Sequence, residues 1–226
     1  MCSPDFDGKT DNNFTKNIFI FSGLGADERV FQRIDFSGFS PTFIKWEIPY
    51  EAETIENYAS RLIKQITVKR PVLIGLSFGG LISIEIAKQI DTEKVILIAS
   101  AKTKNEIPYY YRWAGKLKLH KLLPAHLFKR SNFISSMIFG TSSSYERQLL
   151  QSIFAGTNPI FLKWAIDKVV TWSNQTQLNN IKHIHGTKDR ILPFRFVSSD
   201  FIIEDGGHYL TLYKAHDISQ ILKAII

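Results

Sequence analysis

Cysteine is nearly absent from this chain of 226 residues, because Cys2 is the only one. A single cysteine excludes an intramolecular disulfide, so the sequence is compatible with a reducing compartment. Residues 1–17 lack the apolar core of a secretory signal peptide, and no run of about 18 apolar residues occurs anywhere. We therefore expect a cytoplasmic protein without a membrane-spanning helix.

Long blocks of lysine and arginine are also missing, although the formal net charge is +7. Basic arms that bind nucleic acid usually contain such blocks, so the sequence predicts no nucleic-acid partner. Hydrophobic residues make up 44% of the chain and charged residues 22%, which is enough apolar material for a core. The length fits one domain that covers residues 1–226.

Short apolar runs alternate with helix-like patterns along most of the chain. Strands are predicted at 17–23, 41–48, 71–77, 94–100, 181–186 and 200–206, and helices at 26–34, 54–66, 78–90 and 208–225. Continuous apolar runs are typical of strands whose two faces are both covered, as in parallel sheets. The sequence therefore predicts a three-layer α/β/α sandwich around a mainly parallel sheet of about six strands.

Residues 102–175 interrupt this alternation. The segment is rich in aromatic residues, its patterning is helical, and it is too long for a loop without structure of its own. We predict that several helices are inserted here over the strand ends, as a lid. Its aromatic rings suit an apolar substrate group, although packing among the lid helices accounts for them equally well.

The stretch VLIGLSFGGLISIEIA, residues 72–87, places one serine between a predicted strand and a predicted helix. Gly75 and Gly79 flank Ser77 in the pattern G-x-S-x-G, and Gly80 adds a third glycine. Such a sharp turn exposes the serine hydroxyl above the sheet, so the pattern favours a nucleophile. The alternative is a glycine-rich connector in which the serine is structural.

A serine nucleophile needs a base, and the base needs an orienting acid. GTKDRILP, residues 186–193, follows the fifth strand and offers Asp189, while GGHYLTL, residues 206–212, follows the sixth and offers His208. The chain order Ser, Asp, His is the one expected for α/β-hydrolases. The alternative for Asp189 is an ordinary turn residue.

These segments, together with SGLGADERVF at 22–31, resemble the α/β-hydrolase fold superfamily over nearly the whole chain and least over 102–175. The resemblance implies that Ser77 attacks a carbonyl carbon, His208 takes its proton and Asp189 orients the imidazole. The implied substrate is a small carboxylic ester or thioester with an apolar acyl group. This chemistry needs neither a metal ion nor an organic cofactor.

The tetrahedral intermediate of acyl transfer requires fixed hydrogen-bond donors, the oxyanion hole. The backbone N–H of Phe78, directly after the nucleophile, is one candidate, and the resemblance implies Leu24, after the first strand, as the other. The sequence departs from the family at Ser22, where many members have a histidine, and we expect Ser22 or Asp27 to brace this loop. Residues 1–16 are too short and polar for the usual N-terminal hairpin.

The remaining histidines and carboxylates have plainer interpretations. His183 and His185 alternate along one strand and are expected to be buried structural residues rather than metal ligands. Three others lie among lysines or on the last helix and are expected to be solvated: His120, His126 and His216. Two other carboxylates are weaker candidates for the triad acid than Asp189. No carboxylate follows the fourth strand until Glu106, and Asp205 is too close to His208 along the chain.

The segment between Ile107 and Tyr145 contains six basic residues and no acidic one: Arg112, Lys116, Lys118, Lys121, Lys129 and Arg130. Three interpretations are open. The charges form a solvated outer face over an apolar pocket, or they steer an anionic substrate or acidic carrier, or they dock the protein on an anionic membrane surface.

The leading prediction is thus a serine hydrolase of esters or thioesters that works through an acyl-enzyme. The same triad supports acyltransfer, amide or C–C bond hydrolysis and lyase chemistry, so these remain alternatives. An alternative of another class is a small-molecule binding protein that keeps the fold without catalysis.

Overall fold

The computed structural model describes residues 15–122 and 144–226, and a parallel sheet lies at its centre. Its strands are β1 (Lys16–Phe21), β2 (Phe39–Phe43), β3 (Val72–Leu76), β4 (Lys94–Ile98), β5 (Ile181–Gly186) and β6 (Phe201–Ile203). Their order is β2-β1-β3-β4-β5-β6, and every neighbouring pair is parallel. The predicted parallel sheet of six strands is confirmed.

Helices cover both faces of the sheet. They are α1 (Ile55–Leu62), α2 (Phe78–Ala87), α3 (Tyr109–Lys116), α4 (Ser144–Ala155), α5 (Pro159–Thr171), α6 (Leu210–Tyr213) and α7 (Ala215–Ile225). Successive side chains of a strand point to opposite faces, so Ile18 and Ile20 of β1 join one core while Phe19 and Phe21 join the other. The first core includes α7, and the second includes α1 and α2. The predicted three layers are confirmed.

Several predicted elements are shorter than the sequence pattern suggested, including the strand predicted at 200–206, which spans only Phe201–Ile203. Residues 26–34 contain only a 3-10 turn, Glu28–Phe31, whose backbone bonds connect residues three apart. The strand predicted at 41–48 spans only Phe39–Phe43 in the structure. The Ile44 N–H still donates to the Ile20 carbonyl oxygen of β1 at 2.9 Å, but beyond it two N–H groups bind side chains instead of a neighbouring strand. Lys45 N–H donates to Gln65 Oε1 at 2.9 Å, and Glu47 N–H donates to the Tyr58 hydroxyl at 3.0 Å.

The described parts of the segment 102–175 are mainly helical, joined by short turns and irregular stretches. Helix α3 packs against α5 so closely that a Cβ on Gly115 would lie 2.3 Å from the Val170 carbonyl oxygen. The predictions for His126, Lys129 and Arg130 lie outside the described residues. A lid role for this segment stays a prediction.

In the parts of the chain that the structure describes, no helix is both long and apolar enough to cross a membrane.

Candidate active site

Ser77 occupies a strained turn between β3 and α2. Its φ of 53° and ψ of −119° lie in a region that favours glycine. The glycines around it leave no room for side chains: a Cβ on Gly75 would lie 2.5 Å from the Gly79 carbonyl oxygen. A Cβ on Gly79 would lie 2.3 Å from the carbonyl oxygen of Phe21. The start of α2 is therefore pressed against the ends of β3 and β1.

Ser100 is a support for this turn that the sequence pattern did not reveal. Its hydroxyl donates to the Ser77 carbonyl oxygen at 2.7 Å, and the Ser77 N–H donates to the Ile98 carbonyl oxygen at 2.9 Å. A Cβ on Gly80 would lie 2.2 Å from Ser100 Oγ, which accounts for the third glycine. The signal in the sequence was that Ser100 follows β4 at the same sheet edge where Ser77 follows β3.

His208 connects Ser77 to Asp189. Its Nε2 lies 2.7 Å from Ser77 Oγ, and its Nδ1 lies 2.8 Å from Asp189 Oδ2. A carboxylate only accepts, so Nδ1 carries the proton and Nε2 is free to accept the serine hydroxyl. The structure thus brings together three side chains that the sequence places far apart.

Asp189 is buried and held in place by several donors. Its Oδ1 accepts from the N–H groups of Ile191 and Leu192 at 2.8 and 2.9 Å. Burial by itself raises the pKa of this carboxyl, but its attraction to His208 and their hydrogen bond outweigh that effect and lower the pKa below its ordinary value. The carboxylate is therefore ionised at neutral pH.

The turns that carry the acid and the base are packed together. A Cβ on Gly186, the last residue of β5, would lie 2.2 Å from the Gly206 carbonyl oxygen. That carbonyl oxygen also accepts from the Lys188 N–H at 2.8 Å. Gly207, just before His208, donates its N–H to the Tyr213 hydroxyl. These contacts fix the relative positions of Asp189 and His208.

Two buried histidines lie behind Asp189. His185 Nε2 is 2.8 Å from the Leu192 carbonyl oxygen and 3.5 Å from Asp189 Oδ2, so this nitrogen donates. His183 Nε2 lies 3.4 Å from the Ser100 N–H nitrogen. Burial lowers the pKa of both imidazoles, and that of His183 falls well below its ordinary value. Their predicted buried position is confirmed.

No metal site emerges from the described ranges: they contain no group of three or more His, Cys, Asp or Glu side chains that could hold an ion.

The prediction that His120 is solvated is wrong, because its ring is buried and its Nε2 lies 2.7 Å from Asp167 Oδ1 on α5. His216 is exposed as predicted.

The loop after β1 lies beside Ser77. A Cβ on Gly23 would be 3.6 Å from the Ser77 Cβ, and Leu24 follows directly. Phe78 is the first residue of α2, where backbone N–H groups have no partner within the helix. Both amides predicted for the oxyanion hole therefore belong to segments that meet at the nucleophile.

Ser22 braces this loop, at the position where many family members have a histidine. Its hydroxyl donates to the Ala26 carbonyl oxygen at 2.7 Å and accepts from Trp46 Nε1 at 2.9 Å. Asp27 has a different task, since its side chain accepts from the Arg29 N–H and caps the 3-10 turn. The brace therefore comes from Ser22 and Trp46.

A cavity of about 250 Å³ opens next to the same loop. Its lining includes Ala26, Trp46 and Ile48 on one side and Ile153 and Phe161 on the other. The turn between α4 and α5 is attached here, because the Thr157 hydroxyl donates to the Gly25 carbonyl oxygen at 2.9 Å. The lining also includes three charged residues, the ion-paired Asp27 and Arg29 and also Glu47.

Comparison with known proteins identifies relatives by structure alone. No family model matches the sequence, and no curated protein matches it. Among solved structures, a thermophilic esterase from Thermogutta terrifontis superposes with a TM-score of 0.70 at 16% identity, over 92% of this chain and 88% of that one. A bromoperoxidase from Bacillus anthracis gives 0.67 at 17% identity, over 93% and 91%. The enol-lactonase from Burkholderia xenovorans gives 0.65 at 16% identity, also over 93% and 91%. The chain therefore has the fold of the α/β-hydrolase superfamily.

Proposed function

We propose that this protein is a serine hydrolase that cleaves carboxylic esters or thioesters. The observation that carries the proposal is the hydrogen-bond chain from Ser77 Oγ through His208 to the buried, ionised Asp189. The strained backbone of Ser77 adds support, because strain of this kind persists where it serves a function.

In the proposed acylation step, Ser77 Oγ attacks the carbonyl carbon of the ester while its proton moves to His208 Nε2. The imidazolium that forms is stabilised at Nδ1 by the Asp189 carboxylate, 2.8 Å away. Charge that develops on the carbonyl oxygen is met by the backbone N–H groups of Phe78 and Leu24. The N-terminus of α2 favours the same negative charge.

Collapse of this intermediate releases the alcohol or thiol, which takes its proton from His208 Nε2. The acyl group then stays on Ser77 until a water molecule, activated by the same imidazole, attacks it. The carboxylic acid leaves and the free serine is restored. Every proton in this cycle passes through one nitrogen, so the orientation of the His208 ring by Asp189 is essential.

An apolar acyl group is the proposed specificity. The cavity beside the loop of Leu24 has an apolar part formed by Trp46, Ile48, Ile153 and Phe161, which suits a hydrocarbon chain. The esterase and the enol-lactonase with this fold also carry the names of ester-cleaving enzymes. Neither name indicates which alcohol or thiol the reaction releases.

A covalent probe and a chromogenic ester test the proposal. We expect a fluorophosphonate to label the wild type but not Ser77→Ala, and the variant to lose at least about 10⁴-fold in kcat on p-nitrophenyl butyrate. The matched control is Ser198→Ala, which removes a serine outside the triad and is expected to leave both readouts unchanged. Equal labelling of the wild type and Ser77→Ala would contradict the mechanism. A wild type that neither reacts with the probe nor cleaves the ester would favour a binding protein without catalysis.

A further inference from the structure

The outer face of α3 presents large apolar side chains to solvent. Tyr109, Trp113 and Leu117 are spaced four residues apart, so they lie on one side of the helix. Their exposed fractions are 57%, 59% and 61%. The opposite side of the helix is packed, because Gly115 lies against Val170 of α5. We call Tyr109, Trp113 and Leu117 the α3 outer face.

The apolar surface continues beyond these three residues. Tyr110 is 37% exposed and Leu119 is 48% exposed. The ring of Phe196 lies 6.1 Å from that of Tyr109 and 6.0 Å from that of Tyr110, so the surface reaches a second element of the chain. Isolated exposed apolar residues are ordinary, but contiguous ones mark interaction sites.

Positive charge surrounds the α3 outer face. Residues 107–122 contain four cations, Arg112, Lys116, Lys118 and Lys121, and no acidic residue. The ammonium of Lys116 lies 5.8 Å from the centre of the Trp113 ring, and the Arg195 guanidinium lies 4.9 Å from that of Phe196. Lys121 is close to Asp167 of α5, at 3.9 Å, whereas Lys116 and Lys118 are exposed.

We propose that the α3 outer face docks on an anionic lipid surface. Tryptophan and tyrosine favour the boundary between water and hydrocarbon, since one part of each ring is apolar and the other polar. Leu117 adds apolar area that inserts below the headgroups, and Lys116 and Lys118 attract their negative charge. Three apolar side chains on one short helix make this a shallow and reversible contact.

Charge also decides between lipid and a second copy of the chain. Pairing of two α3 outer faces would bring together two segments that contain cations such as Lys116 and Lys118 and no acidic residue, which is repulsive. A bilayer with anionic lipids supplies the opposite charge instead. Its soft, extended surface also accepts a convex helix without a preformed groove.

The contact would bring lipid near the turn that carries Asp189. Phe196, at the edge of the apolar surface, lies four residues after Leu192, whose N–H binds the Asp189 carboxylate. An ester held in the bilayer would then lie near that turn. This consequence rests on the proposed function, whereas the docking itself does not.

Vesicle binding tests the docking directly. The wild type is expected to co-sediment with phosphatidylcholine vesicles that contain 30% phosphatidylglycerol at least about 10-fold more strongly than with phosphatidylcholine alone. Raising the salt from 0.05 to 0.5 M should remove most of that difference. The emission of Trp113, obtained as the wild type minus Trp113→Phe, should shift to the blue on binding.

Three variants separate the contributions. The triple change Tyr109→Ser, Trp113→Ser, Leu117→Ser is expected to weaken binding at least about 10-fold, and so is the charge reversal Lys116→Glu, Lys118→Glu. Ile202→Ser, which removes an apolar side chain of similar exposure (52%) on β6, should bind like the wild type. Should the triple variant fail to fold, Trp113→Ser alone and the charge reversal still decide the matter.

Several results would overturn the proposal. These are equal binding to neutral and anionic vesicles, unchanged binding of both the Trp113 and the lysine variants, and dimers in sedimentation velocity that the triple change dissociates. Protection of Trp113 from acrylamide quenching without vesicles would show that another part of this chain covers the face. Hydrolysis of a soluble aryl ester is independent of all these outcomes, so failure of docking and failure of the proposed function are distinguishable.

Discussion

Replacing Ser77 by glycine is expected to make the protein more stable than replacing it by alanine. Both changes remove the hydroxyl and its hydrogen bond to His208, so that loss cancels in the comparison. They differ at the backbone, where φ is 53° and ψ is −119°. Alanine retains the steric conflict between its Cβ and the backbone, and glycine has no Cβ to conflict.

The expected difference follows from two opposing terms. A residue other than glycine in such a region costs about 1–3 kcal/mol. Glycine costs about 0.5–1 kcal/mol through the greater conformational freedom of the unfolded chain. The net advantage of Ser77→Gly over Ser77→Ala is therefore about 1 kcal/mol, or a difference in Tm of about 2–4 °C for a chain of this size.

Thermal melting followed by circular dichroism, supported by urea titration, measures the difference. The matched control is Ala59→Gly in α1, where the backbone is helical and glycine is expected to destabilise by at least about 1 kcal/mol. Both Ser77 variants should be inactive. If Ser77→Gly melts below Ser77→Ala, the turn stores no strain and the expected difference is refuted.

Three further changes probe the surroundings of the site. His183→Gln should flatten the pH dependence of stability. Burial lowers the pKa of the folded imidazole and keeps it neutral, whereas the unfolded one binds a proton below about pH 6.5. This group should therefore lower the wild-type unfolding free energy by about 1.4 kcal/mol between pH 7.5 and 5.5, as measured by urea titration. Gly79→Ala should prevent native folding, because its Cβ would lie 2.3 Å from a β1 carbonyl oxygen; solubility and thermal melting measure this. The control Gly156→Ala, whose Cβ would have its nearest contact at 3.5 Å, should melt near the wild type. Ser22→Ala should lower kcat on the aryl ester about 10-fold at similar KM, since Trp46 Nε1 loses its acceptor and the oxyanion loop its brace.

Each of these expectations has a clear contrary result. An unchanged slope of stability against pH in His183→Gln would mean that this imidazole binds a proton as readily in the folded chain as in the unfolded one. A soluble, active Gly79→Ala would show that α2 and β1 separate easily. Wild-type kinetics in Ser22→Ala would show that the loop holds its position without the bond to Trp46.

The sheet could be predicted from the sequence because its strands are buried on both faces. β3 is a continuous apolar run that ends just before Ser77, and the buried part of β5 ends at Gly186. Short buried runs of this kind are typical of the inner strands of a parallel sheet. Parallel strands direct their carboxyl ends to one edge, so Ser77, Asp189 and His208 could be expected to lie near one another. The apolar pattern of the sequence was enough to predict a strand wherever all residues of that strand are buried.

The supporting contacts could not be predicted, because they depend on side chains distant in sequence. The bond from Ser100 to Ser77 requires the register in which Leu76 of β3 lies beside Ile98 of β4. The burial of His120 depends on Asp167, which is 47 residues further along the chain. Neither contact leaves a periodic pattern, so neither is visible before the elements are packed.

The close contact between Gly186 and Gly206 has a consequence for how such a protein can change over evolutionary time. It ties the acid and base turns to each other at the sheet edge, while the nucleophile turn is tied to β1 and β4. All three side chains of the proposed triad are thus carried by turns outside residues 102–175. The inserted helices can consequently be exchanged for others, altering substrate choice and surface attachment without rebuilding the chemistry.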